Sequence, residues 1–135
     1  MRVLLADKQS KVRFALAALL EQQAHITIVG EVQDSAGLLD QVKHYRPDLV
    51  LLDWSLPGRD AVDVLVHLHK THPDLSIIVM SGRPEMSQLA IAAGADAFVS
   101  KAEPPDRLLA AVNQCQQKTL KLDLQKNPMK VETND

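Results

Sequence analysis

Short apolar runs without polar alternation recur along this chain of 135 residues. They are rich in leucine and β-branched side chains and lie at residues 3–6, 49–52, 77–80 and 97–100. A fifth segment, residues 26–32, is also rich in β-branched residues. Runs of this length and composition are typical of strands buried on both faces of a parallel sheet.

Each predicted strand is followed by apolar residues at helical spacing. Ser10 is placed to cap the first helix, and Asp34 or Ser35 the second. Arg46 should end the second helix, because the residue before a proline is disfavoured from helical geometry. Gly94 suits the end of a short fourth helix. A strand–helix unit repeated five times predicts right-handed crossovers and a doubly wound α/β domain with helices on both faces.

The length suits a single domain with one folded core. We expect that domain to occupy residues 1–118. Residues 119–135 are polar, and Leu120, Leu122 and Leu124 alternate with charged or polar residues. This spacing indicates a short strand or an unpacked arm rather than a helix, so a flexible C-terminal tail is predicted from residue 119.

Composition and charge exclude some classes of protein. The net charge of −2 provides no basic footprint for direct nucleic-acid binding. No apolar stretch approaches the ~20 residues of a membrane span. Asp7 and Lys8 come too early for a signal peptide, and the one cysteine, Cys115, cannot form an internal disulfide. A cytoplasmic protein is therefore expected, with Cys115 as a small packing residue on a helix.

Charged or hydroxyl side chains follow four of the predicted strands. Asp7 and Lys8 follow the first strand, Asp53 follows the third, Ser81 follows the fourth and Lys101 follows the fifth. In parallel sheets, ligand sites form outside the carboxyl ends of the strands. Two carboxylates, a hydroxyl and an ammonium are thus predicted at one edge. Such a set is suited to holding a phosphoryl group. Lys8, at the same edge, is a second ammonium that does not fit this set.

Five motifs in order resemble the receiver domain of two-component response regulators: VLLAD at 3–7, PDLVLLD at 47–53, LPG at 56–58, IVMSG at 78–82 and AGADAFVSK at 93–101. The resemblance covers residues 2–117, and residues 98–105 are most similar to receivers normally joined to helix-turn-helix output domains. It implies a flavodoxin-like (βα)5 fold with strand order 2-1-3-4-5. It also implies a signalling switch rather than a metabolic enzyme.

The resemblance further implies that Asp53 accepts a phosphoryl group from a histidine kinase or a phosphotransfer protein. Lys101 would pair with that group, the Ser81 hydroxyl would bind it, and Phe98 would change rotamer as Ser81 moves. The face of helix 4, strand 5 and helix 5 would then bind a partner protein or a second copy. The residues alone also allow Ser81 to cap helix 4 and Phe98 to be core packing. Trp54 could shape the rim of the site or pack against the core.

Lys8 departs from the family pattern, in which two acidic residues follow strand 1 and help bind magnesium. One outcome is that Lys8 turns to solvent, so that Asp7, Asp53 and the Ser55 carbonyl hold a weak ion. The other, which we favour, is that the Lys8 ammonium pairs with Asp7 and Asp53 where the metal would lie. Magnesium is therefore a doubtful cofactor, and no other is expected.

Two further alternatives remain. A degenerate receiver would take no phosphate and act as a constitutive interaction module, with Lys8 replacing the magnesium site. A flavin-binding protein of similar topology would need a phosphate-cradling loop after strand 1, for which Lys8-Gln9-Ser10-Lys11 is poor material. His67, His69 and His72 lie on one predicted helix without the i,i+4 spacing of a zinc pair.

Overall fold

The computed structural model describes residues 1–127. Its strands are Arg2–Ala6 (β1), Thr27–Val32 (β2), Leu49–Asp53 (β3), Ser76–Ser81 (β4) and Ala97–Ser100 (β5). Its helices are Ser10–Glu21 (α1), Ser35–Tyr45 (α2), Ala61–Thr71 (α3), Ser87–Ala92 (α4) and Pro105–Lys126 (α5). A 3-10 turn at Pro84–Met86 precedes α4. The five predicted strand–helix units are confirmed.

The five strands form one parallel sheet in the order β2-β1-β3-β4-β5, which confirms the predicted doubly wound, flavodoxin-like fold. Ala6 pairs with Leu52 across β1 and β3, so the residues that follow them, Asp7 and Asp53, leave the sheet side by side. Ser81 pairs with Ser100 across β4 and β5. The register therefore brings the carboxyl ends of four strands to one edge.

The sheet is buried on both faces, which explains why its strands lack polar alternation. One face packs against α1 and α5 through buried residues of both helices: Leu20, Leu108, Ala111, Val112 and Cys115. The other face packs against α2, α3 and α4 through Leu38, Val42, Val64, Leu65, Leu68 and Ala90. Successive strand residues alternate between these two cores because β side chains point to opposite faces.

The helix ends follow the sequence signals with one exception. The Asp34 carboxylate caps α2 by accepting a hydrogen bond from the Gly37 N–H at 2.7 Å. Arg46 ends α2 in a left-handed conformation with φ 48°, and Gly94 follows α4 with φ 120°. The predicted cap at Ser10 is wrong. Ser10 is the first residue of α1, and the capping position is Gln9, whose side chain makes no capping hydrogen bond.

The expected tail at 119–135 is wrong in its first part, because α5 continues to Lys126. Leu122 lines a crevice of about 460 Å³ between α5 and the ends of α2 and α3, whereas Leu120 and Leu124 are exposed. The Lys126 ammonium also pairs with the Asp74 carboxylate. The alternating leucines did not indicate a helix, because this end of α5 makes few contacts with the rest of the domain. Residues 128–135, the rest of the expected tail, lie outside the described residues.

Cys115 packs in the core between α5 and the sheet and is only 4% exposed. Burial raises the pKa of its thiol, and the nearby negative charge of Asp96 raises it further, so the reactive thiolate is disfavoured. We expect alkylation of the native protein to be on the order of a hundredfold slower than that of the unfolded chain, because local opening must come first. Iodoacetamide labelling followed by mass spectrometry would measure both rates. Equal rates would contradict the buried assignment.

Candidate functional site

Three predicted site residues meet at the carboxyl edge of the sheet. The Lys101 ammonium lies 3.2 Å from Asp7 Oδ2 and 3.2 Å from Asp53 Oδ1. The Asp7 and Asp53 side chains are only 5% and 10% exposed, and that of Lys101 is 32% exposed. The Lys101 N–H also donates to the Ser81 carbonyl at 2.8 Å, which ties the end of β5 to that of β4. One cation thus pairs with two nearly buried carboxylates, and the triad keeps one net negative charge.

The carboxylates keep Lys101 protonated. Burial alone would lower the pKa of Lys101, but the charges and hydrogen bonds of Asp53 and Asp7 outweigh it and raise the pKa above its ordinary 10.5. A raised pKa means that this contribution to stability is fully present below pH 10.5 and is lost as the pH rises through the folded-state value. The ion triad is therefore intact throughout the neutral range.

Lys8 does not join this triad. Its side chain is exposed, and it makes no ion pair with any residue in the range 1–127. The favoured prediction, that the Lys8 ammonium would pair with Asp7 and Asp53, is wrong for this structure. Lys101 occupies that role because β5 delivers its ammonium directly between the two carboxylates. The other predicted outcome, in which Lys8 turns to solvent, matches the structure.

The two carboxylate oxygens of Asp53 differ in their surroundings. Oδ1 accepts from the Ser55 N–H at 3.3 Å and faces the Lys101 ammonium. Oδ2 receives no hydrogen bond from the part of the chain that the structure describes. Asp53 lies at the last position of β3, so its side chain leaves the sheet at the rim. Oδ2 is thus the oxygen best suited to act as a nucleophile.

Ser81 and Phe98 lie on the neighbouring strands. Ser81 is buried, and its hydroxyl oxygen accepts from the Arg83 N–H at 3.0 Å. This bond stabilises the turn before α4 and leaves the hydroxyl hydrogen available for donation. Phe98 is partly buried and packs against the core under α2, α3 and α4, as does Trp54. The packing predicted as an alternative for Phe98 is thus present in this conformation.

Two residues that sequence reasoning did not assign to the site hold its loops. The buried Ser35 hydroxyl accepts from the Arg59 N–H at 2.8 Å, and the Ser35 N–H donates to the Pro57 carbonyl at 2.9 Å. Ser35 therefore fixes the loop after Asp53 to the start of α2. Arg13 binds the turn after β1. The only sequence signal for Ser35 was its place at a helix start, which suggested a cap instead.

Gly58 allows the loop after β3 to approach Ser35. Its φ is 111°, and an added Cβ would lie 2.2 Å from Ser35 Oγ and 3.2 Å from Ser35 Cβ. We expect Gly58→Ala to lower the free energy of unfolding by about 1–3 kcal/mol through backbone strain and the clash. Urea unfolding would measure it. Gly82→Ala is the matched control, because an added Cβ there meets nothing within 4 Å, and equal losses in both variants would contradict this account.

The residues present fit a magnesium ion poorly. Magnesium requires oxygen ligands with near-octahedral geometry and favours carboxylates. The site offers Asp7 and Asp53, but the Lys101 ammonium lies between them, and Lys8 stands where a second acidic residue would follow Asp7. No group of three His, Cys, Asp or Glu side chains able to hold a metal occurs within residues 1–127.

Comparisons with known proteins identify the family of this chain. The family model of the response regulator receiver domain matches residues 3–113. The chemotaxis protein CheY of Thermotoga maritima is 30% identical over 114 residues, which cover 83% of this chain and 94% of CheY. An uncharacterized transcriptional regulatory protein of Bacillus subtilis, YhcZ, is 31% identical, and the match covers 81% of this chain and 52% of YhcZ.

A solved structure gives the same fold. The isolated receiver domain of RcsB from Salmonella enterica serovar Typhimurium, in the presence of phosphomimetic BeF3⁻, superposes with a TM-score of 0.81 at 25% identity. The match covers 90% of this chain and 97% of that one.

A doubly wound parallel sheet with an Asp–Lys–Asp triad at its carboxyl edge defines the class as a flavodoxin-like α/β domain. The chain belongs to the response regulator receiver domain family of two-component signalling. It spans about half the length of some curated relatives that it matches, including YhcZ. No helix within residues 1–127 is long and apolar enough to cross a membrane.

Proposed function

We propose that this domain is a phosphoacceptor switch whose acceptor is Asp53. The observation that carries the proposal is the asymmetry of the Asp53 carboxylate: Oδ1 is held by Lys101 and the Ser55 N–H, while Oδ2 receives no hydrogen bond from residues 1–127. A carboxylate in this position can act as a nucleophile toward phosphorus. The domain is a signalling switch and assists only its own phosphorylation.

In the proposed step, Asp53 Oδ2 attacks the phosphorus of a phosphohistidine or a small acyl phosphate. The new O–P bond forms as the bond from phosphorus to the donor nitrogen or oxygen breaks, and the leaving group keeps the electron pair. The Lys101 ammonium, 3.2 Å from Asp53 Oδ1, stabilises the charge on the phosphoryl oxygens. Positioning and charge neutralisation carry the catalysis, and no step requires a second nucleophile.

Phosphorylation would then be transmitted through Ser81 and Phe98. The Ser81 hydroxyl hydrogen is available to bind a phosphoryl oxygen, and its movement would free space for Phe98 to change rotamer. The affected surface is that of α4, β5 and α5. On it, Leu89 and Ile91 of α4 are 48% and 46% exposed, so apolar side chains are available for a protein partner or a second copy.

The donor would be a histidine kinase or a phosphotransfer protein, as expected for a member of this family. Support comes from the neighbour RcsB, whose receiver domain was solved in the presence of a phosphomimetic. The chain covers about half of YhcZ, so an output activity like that of a whole regulator would be part of the proposal and not a finding. A cytoplasmic location is likewise proposed. Direct binding to nucleic acid or membrane by residues 1–127 is not part of it.

The test is incubation with acetyl phosphate, once with magnesium and once with chelator, followed by measurement of intact mass. A gain of one phosphoryl group supports the proposal. A gain that persists in chelator indicates that the ammonium groups supply the charge neutralisation that a metal would provide. No gain in either condition, with a histidine kinase also tried as donor, would overturn it.

A second candidate is a degenerate receiver that acts as a phosphorylation-independent interaction module. Two observations favour it: Lys8 replaces an acidic residue of the family pattern, and Lys101 already satisfies both Asp7 and Asp53. In such a domain the triad would be a permanent structural link between β1, β3 and β5. Failure of phosphorylation in the mass experiment, with the fold intact by circular dichroism, is the result that favours this candidate.

A further inference from the structure

Arg13, in the first turns of α1, makes an unusual set of contacts with the turn that carries Asp7 and Lys8. Its Nη1 donates to the main-chain carbonyl of Asp7 at 2.6 Å and to that of Lys8 at 3.3 Å. Its Nε forms an ion pair with Glu31 of β2 at 3.0 Å. The Arg13 side chain is only 15% exposed, and its bond to the Asp7 carbonyl is partly buried, whereas the Glu31 side chain is 46% exposed.

The consequence for Asp7 follows from the planarity of the peptide bond. In a trans peptide the C=O and the next N–H point in opposite directions. When Arg13 binds the Lys8 carbonyl, the Gln9 N–H of the same peptide group is directed to the other side of the turn. There it donates to Asp7 Oδ1 at 2.8 Å.

With Oδ1 held by the Gln9 N–H, the other carboxylate oxygen of Asp7, Oδ2, faces the Lys101 ammonium at 3.2 Å. Arg13 also binds the carbonyls on both sides of the Lys8 Cα, so it fixes the two peptide groups that set the direction of the Lys8 side chain. That side chain is exposed. One guanidinium therefore contacts the turn that carries both the Asp7 carboxylate, which enters the site, and the Lys8 ammonium, which stays out of it.

We propose that Arg13 is a positioning residue of the acid site, which orients Asp7 toward Lys101 and keeps Lys8 turned to solvent. Its consequence for phosphotransfer rests on the function proposed above. Arginine suits the task because its planar fork offers separate donors to the carbonyls and to Glu31. Lysine has a single ammonium and cannot reach both sets of acceptors in the same geometry.

The test compares Arg13→Gln and Arg13→Lys with the unchanged protein by ¹⁵N NMR and by the rate of phosphorylation with acetyl phosphate. We expect the Gln9 amide of Arg13→Gln to exchange its hydrogen about tenfold faster, since its acceptor is no longer held in place. Phosphorylation should slow by about tenfold as well. Arg13→Lys should fall between the two, because it restores only part of the contacts.

Arg107→Gln is the matched control, because Arg107 lies in the first turn of another helix and its side chain makes, within residues 1–127, only an exposed ion pair with Glu103. It should leave the Gln9 amide unchanged. Adding Lys8→Ala to Arg13→Gln should recover part of the lost phosphorylation rate, since the released ammonium can then no longer pair with Asp7.

An unchanged Gln9 exchange rate in Arg13→Gln would overturn the proposal, as would an increase spread evenly over all amides, which indicates simple destabilisation. The amide measurement does not depend on phosphorylation. A protein that takes no phosphate but shows the localised change at Gln9 would therefore overturn the proposed function and leave the role of Arg13 supported.

Discussion

Replacing Asp53 with asparagine will abolish the gain of a phosphoryl group from acetyl phosphate while leaving the domain folded. An amide oxygen is not an effective nucleophile toward phosphorus, so the transfer loses its acceptor. The fold should tolerate the change because Asn is nearly the same size, and its oxygen can still accept from the Ser55 N–H. Lys101 retains Asp7 as an ion-pair partner. Intact mass and thermal unfolding together measure the two parts of this expectation.

The matched control is Asp60→Asn, in the loop that follows Asp53. Asp60 is exposed and its side chain makes no capping hydrogen bond to α3, so the same chemical change there should leave phosphorylation at the level of the unchanged protein. Retention of the phosphoryl group in Asp53→Asn would show that another carboxylate, of which Asp7 is the nearest candidate, accepts it. That result would contradict the assignment of Asp53.

Replacing Lys8 with aspartate will strengthen magnesium binding relative to the unchanged protein. The change removes one positive charge beside Asp7 and adds one negative charge, so the local charge falls by two units. Unit charges ~4 Å apart interact by about 1 kcal/mol in water, and a divalent ion doubles each term. The sum, about 4 kcal/mol, corresponds to a gain in affinity of nearly a thousandfold.

Titration with magnesium, followed by the fluorescence of Trp54, would measure this gain, because Trp54 directly follows Asp53 and is partly buried. Lys8→Ala removes only the ammonium and should give an intermediate affinity. Lys11→Asp, which makes the same charge change at an exposed position on α1, should have a small effect that added salt suppresses. Tight binding by the unchanged protein, or equal gains for Lys8→Asp and Lys11→Asp, would contradict the role assigned to Lys8.

The sequence by itself determined the architecture of this domain. Continuous apolar runs such as residues 49–52 are stable only where both faces of a strand are covered, so they predict a parallel sheet under helices. In such a sheet the carboxyl ends of strands share one edge, which predicts that Asp7, Asp53 and Lys101 converge. The local signals at Asp34, Arg46 and Gly94 also gave correct helix ends, since capping and backbone preferences depend on near neighbours.

Tertiary structure alone decided which ammonium lies between the carboxylates. Lys8 and Lys101 are both near Asp7 in the fold, and the sequence offered no way to choose between them. The choice depends on contacts between residues far apart in the chain: β5 aims Lys101 at the carboxylates, while Arg13 holds the turn that carries Lys8. The binding of the loop after Asp53 to Ser35 has the same origin.

The position at which α5 ends also depends on tertiary structure. Residues 119–126 have no strong helical pattern, because a helix that packs on one narrow side needs few apolar positions. The Lys126–Asp74 ion pair ties that segment to the loop before β4, and Leu122 lines the crevice between α5 and the ends of α2 and α3. Periodicity thus determined the elements that build the core. Long-range contacts determined the orientation of polar side chains, because that orientation depends on partner residues that lie far away in the sequence.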